Sequence, residues 1–246
     1  MVDIVIERNI IFMQQLLTKA FLALAAAVFV LLTAFTVYSP AYVFVPDEEL
    51  ELSLYESTDF GEAEIPNKEI FERVLSAYEQ LNNQKDIKPT ITIIDFTKAS
   101  TEKRLWTIDL KNQKLLYHTW VVHGQNTGDN YAHKFSNRHG SHQSSLGFYI
   151  TGKTYVGKHG LSLKLHGLEP GINDQAEARA VVMHGADYVS ERFIKRVGRL
   201  GRSHGCPAIP MELHRELIQT LADGTLLFIY YPDTNYLANS SFDLGV

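Results

Sequence analysis

The spacing of hydrophobic residues changes along the chain, and each change predicts a different element. Asn67, a favoured N-cap residue, begins a stretch in which apolar side chains recur at helical spacing. A helix is therefore predicted over 67–83. Two more helices are predicted over 190–197 and 210–221, the last of them with Pro210 at its first position.

From about residue 90 onward the pattern is that of short strands. Apolar or alternating runs are separated by turn residues, as is typical of strands that share a sheet. The runs are ITIIDF, RLWTIDL, LLYHTWVVH, LGFYITG, LSLKL, RAVVMHG and TLLFIYY. Many short strands with few helices predict a mainly β domain, either a sandwich or an open barrel.

One apolar stretch near the N-terminus predicts targeting. Residues 20–38 contain no charged side chain and directly follow Lys19. This length lies between the apolar core of a cleaved signal, about 7–15 residues, and a spanning helix, about 20. We expect residues 1–41 to be a signal peptide or an inner-membrane anchor with the Lys19 end in the cytoplasm. Met13 is an alternative start. Either way the body is expected to be exported to the periplasm or cell envelope.

Composition and charge narrow the class of protein. The chain has 246 residues, is 45% hydrophobic and carries a formal net charge of -5. These values fit one packed domain with appendages, and they lack the basic excess of a nucleic-acid surface. Residues 42–66 are rich in Asp and Glu and show no periodicity, which indicates a solvated acidic spacer. The folded domain is then expected over 67–246.

Cys206 is the only cysteine of the chain. It cannot form an internal disulfide, so in an exported protein it is either a reactive thiol or a small buried side chain. A reactive thiol needs a base. His204 lies in the same loop, whereas His184 ends a predicted strand and is followed by Gly185. The N–H groups of Gly205 and Cys206 are suited to bind a developing oxyanion.

The two histidine-containing segments together resemble a known family. HGADYVS followed by GRLGRSHGCPAIP is similar to the signature of the murein L,D-transpeptidase catalytic domain family. Residues 135–186 also resemble that family, and the likeness extends over 90–232.

The resemblance implies a mainly β enzyme that acts on peptidoglycan stem peptides. Cys206 would form a thioester with loss of D-alanine, and an acceptor amine would resolve the thioester into a cross-link. His184 would be the general base, oriented by the carbonyl of Gly185. The oxyanion loop would be shaped by Ser203, His204 and Gly205. No metal or organic cofactor is implied, and carbapenem-type inhibitors are expected to acylate the cysteine.

Several alternatives stay open at this point. Water as the acceptor would give an L,D-carboxypeptidase, and a catalytically silent peptidoglycan-binding module or a different cysteine acyltransferase would share the same residues. Ala208 departs from the Arg or Asn that many members of the broader family carry, so the group that holds the substrate carboxylate is undecided. The possible substrate-binding side chains are Arg202, His123, Ser144 and Ser145. The spacings of His133, His139 and His142 match no tight zinc pattern.

Overall fold

The structure is a computed structural model that describes residues 54–85 and 87–242. The leader predicted over 1–41 lies outside the described residues, as does the acidic segment up to residue 53. Within the described ranges, no helix is both long enough and apolar enough to cross a membrane.

Eight strands form one mixed sheet. They are β1 (Thr90–Asp95), β2 (Leu105–Asp109), β3 (Lys114–Thr119), β4 (Gly147–Gly157), β5 (Gly160–Gly167), β6 (Val182–Ala186), β7 (Ala208–Pro210) and β8 (Leu226–Tyr230). Their order across the sheet is β3-β2-β1-β8-β4-β5-β6-β7. Neighbours are antiparallel except β1 with β8 and β6 with β7, which are parallel.

The two edges of this sheet are joined by the chain that follows β3. Val122 donates its backbone N–H to the carbonyl of Ala208 in β7 at 3.0 Å. Ser203 donates its N–H to the carbonyl of His123 at 3.0 Å, and Gln125 donates to the carbonyl of Ser203 at 2.7 Å. Because β3 and β7 are the edge strands, these bonds nearly close the sheet. The predicted mainly β, open-barrel class is confirmed.

Short helices cover the sheet. They are α1 (Lys68–Asn82), α2 (Glu191–Val197), α3 (His214–Leu221) and α4 (Thr234–Asn239). The side chain of Asn67 accepts the N–H of Ile70 at 3.2 Å, so the predicted cap of α1 is confirmed. The N-cap of α2 is Ser190, whose side chain accepts the N–H of Phe193.

The third helix begins later than the sequence predicts. Pro210 is not its first residue: it pairs with Ala186 in the ladder between β6 and β7. The helix begins only at His214, after a turn. The predicted start at Pro210 was wrong because a strand of three residues shows no detectable period, whereas a proline before an apolar run resembles a helix start.

The core lies between the sheet and the apolar faces of α1 and α3. Phe71 and Val74 of α1 are fully buried against β1 and β8. Leu217 and Leu221 of α3 are fully buried, and α3 packs on β5 and β6. Burial of each such side chain stabilises the fold by roughly 1.5–3 kcal/mol. The packing of α3 therefore fixes β6, the strand that ends in the His-Gly pair.

The described part of the acidic segment, residues 54–66, differs from the expected solvated spacer. Asp59 forms a parallel bridge with Lys114, the first residue of β3. Phe60 is buried, and the indole N–H of Trp106 donates to the carbonyl of Glu64 at 2.6 Å. These residues pack on the sheet because an aromatic side chain among the carboxylates has apolar area to bury.

Candidate active site

The His-Gly pair and the Ser-His-Gly-Cys loop meet at the β6–β7 edge of the sheet. The parallel register pairs His184 with Ala208 and Gly185 with Ile209. Cys206 lies two residues before Ala208, so the loop that carries the thiol leads directly into the strand beside His184. Residues separated along the chain are thus brought together by one ladder.

His184 is buried, with 2% of its surface exposed. Its Nδ1 lies 2.9 Å from the carbonyl oxygen of Gly185. A carbonyl only accepts, so Nδ1 carries the proton and Nε2 is left free to take one. Burial holds the pKa of His184 below its ordinary value of 6.5, and the charges of His159 and Lys158 lower this pKa further, against the opposing effect of the Gly185 carbonyl. The imidazole is therefore neutral near pH 7.

The half-buried thiol of Cys206 is held by the backbone that leads into β6. Val182 donates its N–H to Sγ at 3.5 Å, and Sγ lies 3.7 Å from the carbonyl oxygen of Ala180. Burial raises the pKa of the thiol above its ordinary value of 9.0, while the Val182 N–H and the charges of Arg179 and Lys158 oppose that rise. Cys206 therefore rests as a neutral thiol, and a base would be needed for it to react as a nucleophile.

Ser203 fixes the shape of the loop before the cysteine. Its Oγ donates to the carbonyl of Cys206 at 2.6 Å and accepts the N–H of Gly205 at 3.0 Å. Ser144 Oγ lies 3.3 Å from the Gly205 carbonyl oxygen and donates to it. Gly205 has φ +120°, and a Cβ there would lie 2.7 Å from the carbonyl oxygen of Gln143, so only glycine fits.

The sequence predicted two oxyanion donors in this loop, the N–H groups of Gly205 and Cys206, and the structure leaves one of them free. The N–H of Gly205 is turned toward Ser203 and not toward a substrate. In the part of the chain that the structure describes, no hydrogen bond engages the N–H of Cys206, which leaves that group as the available oxyanion donor.

The two base candidates lie in different surroundings. His204 is exposed, and its ring stacks on that of His142 with centroids 4.2 Å apart. His184 is buried beneath the ring of His159 and has a fixed Nδ1 partner. The buried imidazole with the defined tautomer is thus the better placed base.

The four residues expected to bind substrate are placed as supports. Arg202 donates to two loop carbonyls and pairs with Asp129 at 3.2 Å. His123, Ser144 and Ser145 are each at most 2% exposed, so they do not line an open cleft. Each of these three side chains has at least one hydrogen-bonding contact with another protein group. Among the described residues, no cluster of three or more His, Cys, Asp or Glu is arranged to hold a metal ion.

Ala208 and Arg179 revise the expected surroundings of the cysteine. Ala208 is fully buried and packs with Val122 and Leu200, so this position faces the core and not the cleft. Arg179, which sequence reasoning missed, has Nη2 3.3 Å from the position of a Cβ on Gly205. Its sequence signal is its place three residues before the apolar strand β6, which does not distinguish it from a surface arginine.

The chain is similar to proteins of known structure and to one protein family. A family model described as L,D-transpeptidase catalytic domain matches residues 62–230. The search of curated proteins found no match. An L,D-transpeptidase from Mycobacterium smegmatis is 9% identical, with TM-score 0.36, covering 58% of this chain and 59% of that one. A variant of the helical cell shape determining protein Pgp2 from Campylobacter jejuni is 14% identical, with TM-score 0.36, covering 64% and 55%.

A third structure, an L,D-transpeptidase from Xylanimonas cellulosilytica, is 11% identical, with TM-score 0.33, and the match covers 75% of this chain and 93% of that one. The match spans less than two thirds of the length of the M. smegmatis and C. jejuni structures. The family match, in contrast, extends over more than half of this chain and includes the His-Gly pair and the cysteine loop. The chain belongs to the L,D-transpeptidase catalytic domain family.

Proposed function

We propose that the protein is a cysteine-dependent L,D-transpeptidase that cross-links peptidoglycan stem peptides through a thioester at Cys206. The observation that carries this proposal is the hydrogen bond from His184 Nδ1 to the carbonyl of Gly185. This bond orients the imidazole without the help of a carboxylate. It leaves Nε2, on the strand beside the cysteine loop, free to act as the base. Family membership supports a role in peptidoglycan metabolism.

The first half of the reaction makes the thioester. His184 Nε2 takes the thiol proton while Sγ attacks the carbonyl carbon of the L-configured centre that precedes D-alanine. The S–C bond forms and the carbonyl oxygen becomes an oxyanion, which the N–H of Cys206 stabilises. When the oxyanion collapses, the C–N bond breaks. The leaving nitrogen takes the proton from His184, so D-alanine departs with a neutral amine and the acyl group stays on Cys206.

The second half transfers the acyl group. The amine of an acceptor stem attacks the thioester carbon, and His184 Nε2 accepts a proton from that amine. The C–S bond breaks, the thiolate leaves and His184 returns the proton to it. A new amide bond joins the two stems. Water in place of the amine would release a free acid, which is the L,D-carboxypeptidase alternative.

Location follows from the substrate in this proposal. Stem peptides lie outside the cytoplasmic membrane, so the enzyme would act in the periplasm or cell envelope. The leader predicted over 1–41 would export it, either as a signal peptide or as an anchor.

Incubation of the full-length protein with a purified tetrapeptide stem, followed by mass spectrometry, tests the proposal. We expect a dimer whose mass is that of two stems minus one D-alanine, together with free D-alanine. Cys206→Ala should give neither product. Free D-alanine with a tripeptide and no dimer would assign the carboxypeptidase. Binding without any D-alanine release by the folded wild-type protein would assign a silent peptidoglycan-binding module.

A further inference from the structure

We propose that Arg179 is a positioning residue: its charge, anchored on residues 136–145 and next to Gly205, stabilises the Cys206 thiolate as it forms. The catalytic meaning of this assignment rests on the proposed function, whereas its effect on the thiol does not.

The guanidinium of Arg179 is fixed in place by neutral acceptors. Nη1 donates to the carbonyl of Ser136 at 2.7 Å and to Ser145 Oγ at 3.3 Å. Nη2 donates to the carbonyl of Gln143 at 2.6 Å and to Ser141 Oγ at 3.4 Å. No carboxylate in the described ranges forms a salt bridge with Arg179. Among the described residues, the positive charge is therefore held in place without a carboxylate counter-ion.

Two residues that follow Arg179 along the chain contact the thiol. Ala180 O lies 3.7 Å from Cys206 Sγ, and the Val182 N–H is 3.5 Å from Sγ. Ala180 has φ +53°, a left-handed conformation that is strained in a residue with a Cβ. Nη2 of Arg179 is 3.3 Å from the position of a Cβ on Gly205, the residue before the nucleophile. The strained backbone at Ala180 therefore contacts the thiol, and the Arg179 guanidinium lies next to the residue that precedes the cysteine.

Several other charged or titratable groups face the thiol. Lys158, in the turn between β4 and β5, lowers the pKa of Cys206 less than Arg179 does. Tyr188, which follows β6, has its pKa raised mainly by burial and also by the thiolate. His184 is the base itself. Lys158 is exposed and surrounded by water, whereas Arg179 is half-buried and anchored, so the field of Arg179 is screened less.

The anchoring also distinguishes two roles for Arg179, a clamp on a substrate carboxylate and a fixed positive charge. A bidentate clamp on a substrate carboxylate needs two free N–H groups on one edge of the guanidinium. Both Nη atoms already donate to loop groups, so the guanidinium acts through its charge and not as a carboxylate clamp. Its loss is expected to change the ionisation of the thiol.

The test measures the rate of Cys206 alkylation by iodoacetamide against pH on the full-length protein. The thiolate is the reacting form, so the midpoint of this profile reports the thiol pKa. We expect Arg179→Gln to shift the midpoint upward by about one pH unit, which is about a tenfold loss of thiolate below the midpoint. Arg179→Lys should restore part of the shift. Arg215→Gln, which removes an exposed charge from α3, should match wild type.

A purely structural role would give a different pattern. Ser141→Ala removes one anchor of Arg179 and keeps the charge, so it should leave the alkylation midpoint unchanged even if it lowers the melting temperature. An unshifted midpoint in Arg179→Gln protein with wild-type circular dichroism would overturn the proposal, as would an equal shift in Ser141→Ala. Alkylation does not require turnover. A shifted midpoint in a protein that releases no D-alanine would therefore reject the transpeptidase and keep the role of Arg179.

Discussion

The imidazole rings of His159 and His184 are stacked, with centroids 4.2 Å apart and 17° between their planes. His159 lies in the exposed turn between β4 and β5, and His184 is buried in β6. The turn therefore covers one face of the candidate base. The charge that His159 can carry disfavours the protonated form of His184 and so lowers the pKa of His184, in the same direction as burial.

Removal of the covering ring should change the pH dependence of reaction. In His159→Ala, water reaches His184 and the repulsion is lost, so the pKa of His184 should rise toward 6.5, its ordinary value. Because the base must be unprotonated, the acid limb of acylation should move to higher pH. His159→Phe keeps a ring in place and should shift the limb less. Stopped-flow rates of acylation by a carbapenem across the pH range would measure this; equal shifts in both variants would contradict it.

The two histidines beside the cysteine should differ in effect. His184→Ala should lower D-alanine release by about 10²–10⁴, as expected for a positioned acid–base group. His204→Ala should cost much less, since this ring is exposed and stacks on His142. Initial rates with a tetrapeptide stem, on variants with wild-type circular dichroism, make the comparison. A larger loss in His204→Ala would reassign the base.

Ser203 should affect turnover more than stability. Ser203→Ala removes the hydrogen bonds to the Cys206 carbonyl and from the Gly205 N–H. Each is worth about 0.5–1.5 kcal/mol, so a modest fall in melting temperature is expected. The loosened loop should lower kcat with little change in KM. Ser57→Ala, at an exposed serine, is the matched control. Wild-type kcat in Ser203→Ala would show that the loop keeps its shape without these bonds.

Carbapenems should acylate the wild-type protein once, at Cys206. The reaction needs a thiol, a base and an oxyanion donor. In this protein the thiol is that of Cys206, the base is His184 Nε2 and the oxyanion donor is the N–H of Cys206. Acylation should speed up as pH rises, because both the neutral His184 and the thiolate become more populated. Intact-mass analysis should show one adduct on wild type and none on Cys206→Ala. An adduct on the alanine variant would place the nucleophile elsewhere.

A buried pair away from the cysteine should make the fold sensitive to acid. Arg104 is fully buried and its Nη2 lies 2.9 Å from His123 Nδ1. Burial first, and then the charge of Arg104, lower the pKa of His123 from 6.5 to about 3. Between these values the unfolded chain binds more protons than the folded one, so stability is lost as pH falls through this window. One such site changes the free energy of unfolding by up to about 1.4 kcal/mol per pH unit.

His123→Asn tests this dependence, because the amide oxygen can accept from Arg104 but the side chain does not titrate. The slope of unfolding free energy against pH between about 5 and 6.5 should be smaller in this variant than in wild type. Urea denaturation at several pH values measures it. His184 contributes with the same sign and remains in both proteins, so an unchanged slope would contradict the role of His123.

The sequence by itself determined the features that depend on local interactions. The cap and apolar face of α1, most of the strands and the mainly β class follow from periodicity and turn residues, which act over a few positions. The contact between the His184 imidazole and the Gly185 carbonyl, and the role of Cys206 as the candidate nucleophile, were likewise predicted from adjacent residues and from the family resemblance.

Only the tertiary structure decided which side chains support the site and which face it. His123, Ser144 and Ser145 are buried, although their polarity suggested an open cleft. The sequence does not distinguish Arg179 from a surface residue, yet the fold sets its Nη2 next to Gly205 and anchors it on acceptors more than thirty residues away. Pro210 joined β7, which pairs in parallel with β6. Each outcome depends on contacts between segments distant along the chain, and a local pattern carries no information about which distant groups will satisfy a polar atom.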